Sequence, residues 1–214
     1  PVCHVNRANT TDLPGQGNDP TPPKDVTLEL YRDAVLAASS PDTVIVGHSM
    51  AGYPIAAAAE HAPDAMRGLV FLCAYAPVSG QSLAQMRRAA PRQTLMAAIQ
   101  RSDDAITFSI DLARAEALFY HDCPTETVAY AIPRLGPQAV LPQETPLTLG
   151  DNYAAVPKAY IRCANDQTIP PEYQTVMAQD FAPDKVHHMQ SSHSPFFSDP
   201  IGLAALLDQI AKDM

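Results

Sequence analysis

Apolar and polar positions along the chain follow two rhythms. Short apolar runs such as TVIVGH, GLVFLCAY and KAYIRCA have the length and β-branched or aromatic content of buried strands, and KVHHMQ is read as a further strand. Between them lie longer stretches with apolar residues at helical spacing: VTLELYRDAVLAAS from Val26, MAGYPIAAAAEH, PPEYQTVMAQDF and PIGLAALLDQIAKDM. A further short strand is expected near residues 5 to 12, ending in the turn-like DLPGQGNDP. Strands alternating with helices predict an α/β fold, a mostly parallel sheet with helices on both faces.

From 77 to 151 the rhythm changes. SLAQMRRAA, QTLMAAIQ, DLARAEALFYHD and TETVAYAIPRL read as short helices parted by proline, with a brief strand at AITFSI. Too few strand candidates occur here to continue the sheet. The expectation is a mostly helical cap, 77–151, inserted into a core made of 1–76 and 152–214.

Composition narrows the function classes. A chain of 214 residues that is 46% hydrophobic and 17% charged can bury one sizeable core. Its net charge of -9, with the basic residues unclustered, argues against a nucleic-acid partner. No apolar run reaches membrane-spanning length, and PVCHVNRANT lacks the marks of an export signal, so neither a membrane nor an export route is expected. Cys3, Cys73, Cys123 and Cys163 form no CxxC pair and two of them end apolar runs, which fits buried free thiols in a reducing, cytoplasmic setting. GQGNDP lacks the third glycine of a dinucleotide loop, and the adjacent residues of HDC at 121 to 123 do not converge on one ion. Neither a cofactor nor a metal is expected.

The chemistry begins at VIVGHSMAGYP, where an apolar strand runs into a serine flanked by small residues. A parallel sheet presents functional groups at the carboxyl ends of its strands. A serine held in a strained turn there has its hydroxyl exposed, and small neighbours let strand and helix approach closely enough to allow it. Ser49 is therefore the candidate nucleophile of an elbow. Ala51 stands where a second glycine is usual, adding one methyl, with Gly52 just after it.

Serine needs a histidine to take its proton, and the histidine needs a carboxylate to orient it. In this architecture the order is serine, acid, histidine, with the last two on loops after the final strands. CANDQTIPPEYQ puts Asp166 beyond one late strand and MQSSHSPFFSDP puts His193 beyond the next. GLVFLCAYAP ends without a carboxylate, Asp199 reads as a helix start, and His187 and His188 face opposite sides of a strand. His61 and His121 sit at helix ends, and the side chain of His48 is expected to point away from the serine.

With these loops in place, the chain resembles the α/β-hydrolase superfamily, in the branch of small esterases related to plant methylesterases, hydroxynitrile lyases and bacterial carboxylesterases. DLPGQG resembles its DLPGHG turn, GHSMAG its GHSMGG elbow, NDQTIPPEYQ its acid loop, and PDKVHHMQSSHSPFFSDP its last strand and histidine loop. The resemblance implies Ser49 as nucleophile, Asp166 as acid, His193 as base, a helical cap and no cofactor. It also implies a strand and a His-Gly loop ahead of DLPG, which this sequence lacks. The core is accordingly expected to be amino-terminally incomplete, with the Met50 N–H as the one oxyanion donor in view.

The expected reaction is hydrolysis of a small-molecule carboxylic ester through an acyl-serine, with Leu83, Met86, Phe108 and Phe119 as candidates to line the pocket. An apolar cap leaves room for a homodimer. Two alternatives stay open. Cyanohydrin cleavage would use the same site, but Ser194 stands where the lyases resemble one another in having lysine. A catalytically weak relative would bind a small carboxylic acid or ester without turnover.

Overall fold

The computed structural model describes residues 8–214. Residues 5–7 of the strand expected near 5 to 12 lie outside the described residues, and 8–12 carry no strand. Four parallel strands form the central sheet in the order β1-β2-β6-β7: β1 Val44–His48, β2 Gly68–Leu72, β6 Lys158–Cys163 and β7 Val186–Met189. β1 ends this order, and among the described residues no strand pairs with its outer side. Val46 on β1 is 40% exposed, in contrast to β2, every residue of which is buried.

Residue alternation sorts the sheet into two faces. Leu69 and Phe71 of β2 and Tyr160 of β6 pack with α1 (Leu28–Ala37), α2 (Gly52–His61), α3 (Leu83–Ala89) and α8 (Pro171–Met177). Val70, Leu72, Ala159, Ile161 and Cys163 point the other way, onto α10 (Pro200–Lys212). A strand buried on both faces has no polar alternation, which is why GLVFLC is continuously apolar. Local signals set the helix ends. The Thr27 side chain accepts from the Leu30 N–H to start α1, and Asp199 accepts from Gly202 to start α10.

Pairing of His48 with Leu72, Leu72 with Ile161 and Cys163 with Met189 brings the carboxyl ends of all four strands to one edge. The loops after β1, β2, β6 and β7 emerge there together.

The region between β2 and β6 holds more helix than strand, but it has more strands than the single one expected. It contains a three-stranded antiparallel sheet, β3 Ile99–Arg101, β4 Thr107–Ile110 and β5 Gln138–Ala139, in that order. AITFSI does contain a strand, but QTLMAAIQ, read as a helix, is a single 3-10 turn at Met96–Ala98 followed by β3. Strands this short carry too few alternations to register as a period, and cross-strand pairing overrides the helix preference of Gln100 and Arg101. Helices α3, α4 (Leu112–Ala115, continued by a π turn to Tyr120), α5 (Thr125–Ala131), α6 (Leu141–Glu144) and α7 (Asp151–Ala155) complete the segment. α9 (Pro195–Ser198) sits between β7 and α10, and no helix among the described residues is long and apolar enough to cross a membrane.

Candidate active site

β1 ends at His48, and Ser49 takes φ 56°, a left-handed conformation that costs a non-glycine residue about 1 to 2 kcal/mol. Close packing on either side holds it. A Cβ on Gly47 would lie 2.7 Å from Ile55 Cδ1 and 2.8 Å from the Ala51 carbonyl oxygen. A Cβ on Gly52 would lie 2.0 Å from the Tyr75 carbonyl oxygen. Tyr75 N–H in turn donates to the Ser49 carbonyl at 3.0 Å. The position that demands glycine after the serine is thus 52, and the methyl of Ala51 is accommodated.

Asp166, in the loop after β6, has no solvent exposure and is fully hydrogen-bonded. Its Oδ1 accepts from Thr168 N at 2.7 Å and Ile169 N at 2.9 Å, while Oδ2 accepts from His193 Nδ1 at 2.7 Å and Gln174 Nε2 at 2.9 Å. Gln174, also fully buried, spends its remaining capacity on the Ile169 carbonyl and the Cys163 N–H. Sequence reasoning missed this side chain, although a glutamine one helical turn inside PPEYQ, facing the acid loop, was the available signal.

His193 is 2% exposed, and donation from Nδ1 to Asp166 leaves its Nε2 as the unprotonated nitrogen. Its backbone carbonyl accepts from His48 Nε2 at 2.7 Å and from the Cys73 thiol at 3.5 Å. His48 therefore does not point away as expected: its ring lies 4.6 Å from that of His193, and both rings reach the same cavity as Ser49. Burial, then the neighbouring imidazole, push the His48 pKa down to about 3. It is neutral at any ordinary pH. Ligand atoms of His48, Cys73 and His193 lie within 4.8 Å of one another, as a metal would need, but hydrogen bonding around the His193 carbonyl accounts for the cluster. Burial also raises the Cys73 thiol well above its usual range. Cys73, Cys123 and Cys163 are free, and Cys3 lies outside the described residues.

The segment after α4 is tied to both loops. Thr168 Oγ1 donates to the Leu118 carbonyl at 2.8 Å, Ser192 Oγ donates to the Phe119 carbonyl at 3.3 Å, and Ser192 N–H donates to the Asp122 carboxylate at 2.6 Å. Asp122, in the HDC stretch read as inert, thus braces the residue before His193.

Ser49, Met50 and His193 open onto a cavity of about 300 Å³. Leu83, Phe108 and Phe119 are among its lining residues, and Met86 is not. Met86 is buried in the main core, where its carbonyl accepts from the Tyr173 hydroxyl, because its position on α3 turns it from the cavity toward α8. Asp199 caps α10, and His61, His121, His187 and His188 lie outside the cavity.

Comparison with known proteins assigns the chain. Residues 6–206 match the Alpha/beta hydrolase family. The chain belongs to the alpha/beta hydrolase family. This alpha/beta hydrolase is 31% identical to "Esterase PIR7B" of Oryza sativa subsp. japonica over 97% of this chain and 86% of that protein. It is 28% identical to a "Pyrethroid hydrolase" of Sphingobium wenxiniae over 83% of this chain, and 26% identical to "Putative methylesterase 12, chloroplastic" of Arabidopsis thaliana over 95%. The chain spans 66% and 63% of the length of those two relatives. The solved structure of pyrethroid hydrolase PytH with BIF superposes with a TM-score of 0.80 at 25% identity, covering 94% of this alpha/beta hydrolase and 84% of that chain.

Proposed function

We propose that this alpha/beta hydrolase cleaves small-molecule carboxylic esters through an acyl-enzyme on Ser49. The observation that carries the reading is the His193–Asp166 bond of 2.7 Å, fully buried, beside a positive-φ serine on one cavity wall. Relatives named as esterases and hydrolases support it. His193 Nε2 takes the proton from Ser49 Oγ as that oxygen attacks the ester carbonyl carbon. The Met50 N–H, at the start of the turn leading into α2, donates to the oxyanion. Collapse breaks the bond to the alcohol oxygen, which leaves with the proton from His193. Water, deprotonated by His193, then attacks the acyl carbon and releases the acid and the Ser49 hydroxyl.

Asp166 stabilises the imidazolium formed twice in each cycle. Neutral His48 matters here, since a second cation 4.6 Å away would oppose that charge. In the proposed division of the chain, 77–151 is a cap that closes the cavity over the core, and the free thiols of Cys73 and Cys163 fit a reducing, cytoplasmic setting.

A fluorophosphonate probe followed by peptide mapping tests the assignment. One adduct on Ser49, lost in His193→Ala, is expected, together with a drop of about 10⁴-fold in kcat for Asp166→Asn, whose amide favours the wrong imidazole tautomer. A folded protein with no adduct on Ser49 would refute the assignment.

A further inference from the structure

One cation sits in the cavity wall without a counter-charge. Arg87 on α3 lines the same cavity as Ser49 and His193, and among the described residues it forms no ion pair. Glu144, the acid whose charge acts on it from a distance, is bound to Arg101. Arg87 Nη1 donates to Gln143 Oε1 at 2.9 Å, a neutral partner, and its Nε is buried with no partner at all. The guanidinium lies 5.7 Å from the centre of the Phe108 ring. Burial lowers its pKa, yet an arginine remains cationic under all these conditions. A guanidinium half withdrawn from water and given only an amide and an aromatic face has donors that an anion in the cavity would satisfy.

Gln143 fixes where the completing group would lie. This side chain, 3% exposed, points Oε1 at Arg87, while its Nε2 donates to Gln138 Oε1 at 2.9 Å and meets Met50 Sδ at 3.8 Å. One amide thus spans the gap between the residue after the nucleophile and the guanidinium. Ser49 and Arg87 line one cavity, so an acyl group attacked at Ser49 shares that space with the guanidinium.

We propose that Arg87 makes the cavity selective for esters whose acyl part ends in a carboxylate, such as half-esters of short dicarboxylic acids. The inference rests on the ester-hydrolase reading and adds a substrate class to it. The carboxylate accepts from the free guanidinium donors, Gln143 holds the guanidinium in place, and the aromatic and aliphatic wall packs on the methylene chain.

The test compares monomethyl glutarate with methyl valerate, which have equal acyl carbon counts, by following acid release in wild type, Arg87→Gln and Arg87→Lys. In wild type kcat/KM is expected to favour the half-ester by about 10- to 100-fold, the range of a hydrogen bond between charged groups. Arg87→Gln brings that ratio toward one through KM, and Arg87→Lys keeps part of it. A wild-type ratio of one or less, or a ratio unmoved by Arg87→Gln, overturns the proposal. A purely structural Arg87 would lower both substrates together. If Arg87→Gln does not fold, the wild-type ratio and Arg87→Lys decide. Should neither ester be cleaved and Ser49 remain unlabelled, the ester-hydrolase reading fails by itself, and calorimetric titration with glutarate then decides. Binding weakened at least about tenfold in Arg87→Lys or Arg87→Gln supports the anion site, and no binding by wild type overturns it.

Discussion

Gln174 shows how much of the site rests on a side chain outside the Ser-His-Asp set. It is bound at once to the Asp166 carboxylate, the Ile169 carbonyl and the Cys163 N–H, so it joins the end of β6 to the acid loop and α8. Gln174→Met keeps the volume, takes one donor from Asp166 and strands the Ile169 carbonyl and the Cys163 N–H, each costing about 1 to 3 kcal/mol less any relaxation. Urea unfolding is expected to register a loss in that range, and kcat to fall more than KM rises, because the carboxylate loses one of its four fixed donors. The loops that carry Ser49, Asp166 and His193 were legible because each has a distinctive composition and a predictable place in the strand order. Gln174, Asp122 and Arg87 were not. Their roles depend on which helix face meets which loop, and a sequence period gives the face without its partner.

At the scale of elements, the core follows from the sequence where the signals are plain, since β1, β2 and β6 are apolar runs and α1 and α10 open on side-chain caps. β3, β4 and β5 were hidden by their brevity, as β5 has only two residues. The site's dependence on the segment from Leu118 to Asp122 was equally hidden, being made of backbone carbonyls and one surface carboxylate. Asp122→Ala removes the acceptor of the Ser192 N–H. Global stability is expected to fall by only about 1 kcal/mol, as Asp122 is itself exposed. Hydrogen exchange at the Ser192 amide should accelerate while amides of β2 and β6 keep their protection, which separates loosening of the histidine loop from general unfolding.

For the whole molecule, the half-buried His48, neutral in the folded chain, links stability to pH. The unfolded chain takes up a proton on this ring below about pH 6.5, whereas the folded chain resists until about pH 3. Between those values the unfolded state binds more protons, so stability falls as pH falls, by up to about 1.4 kcal/mol per pH unit, and this contribution is constant above the window. His187, lowered mainly by burial, adds a slope of the same sign. His48→Gln retains a donor for the His193 carbonyl but cannot titrate. Its midpoint temperature is expected to decline less steeply than that of wild type from pH 6 to pH 4, with parallel curves above pH 7. Equal slopes throughout would show that His48 does not carry this linkage.

The bonds from Leu118, Phe119 and Asp122 to Thr168 and Ser192 carry a consequence in time. One stretch of chain fastens both the loop of the acid and the loop of the base. Any excursion of that stretch wide enough to admit a bulky alcohol or let one out also slackens the two residues that move protons. On the acyl-enzyme mechanism proposed above, opening and turnover alternate within each cycle, and a water molecule arriving while the protein is open meets an acyl-enzyme that is briefly unable to use it.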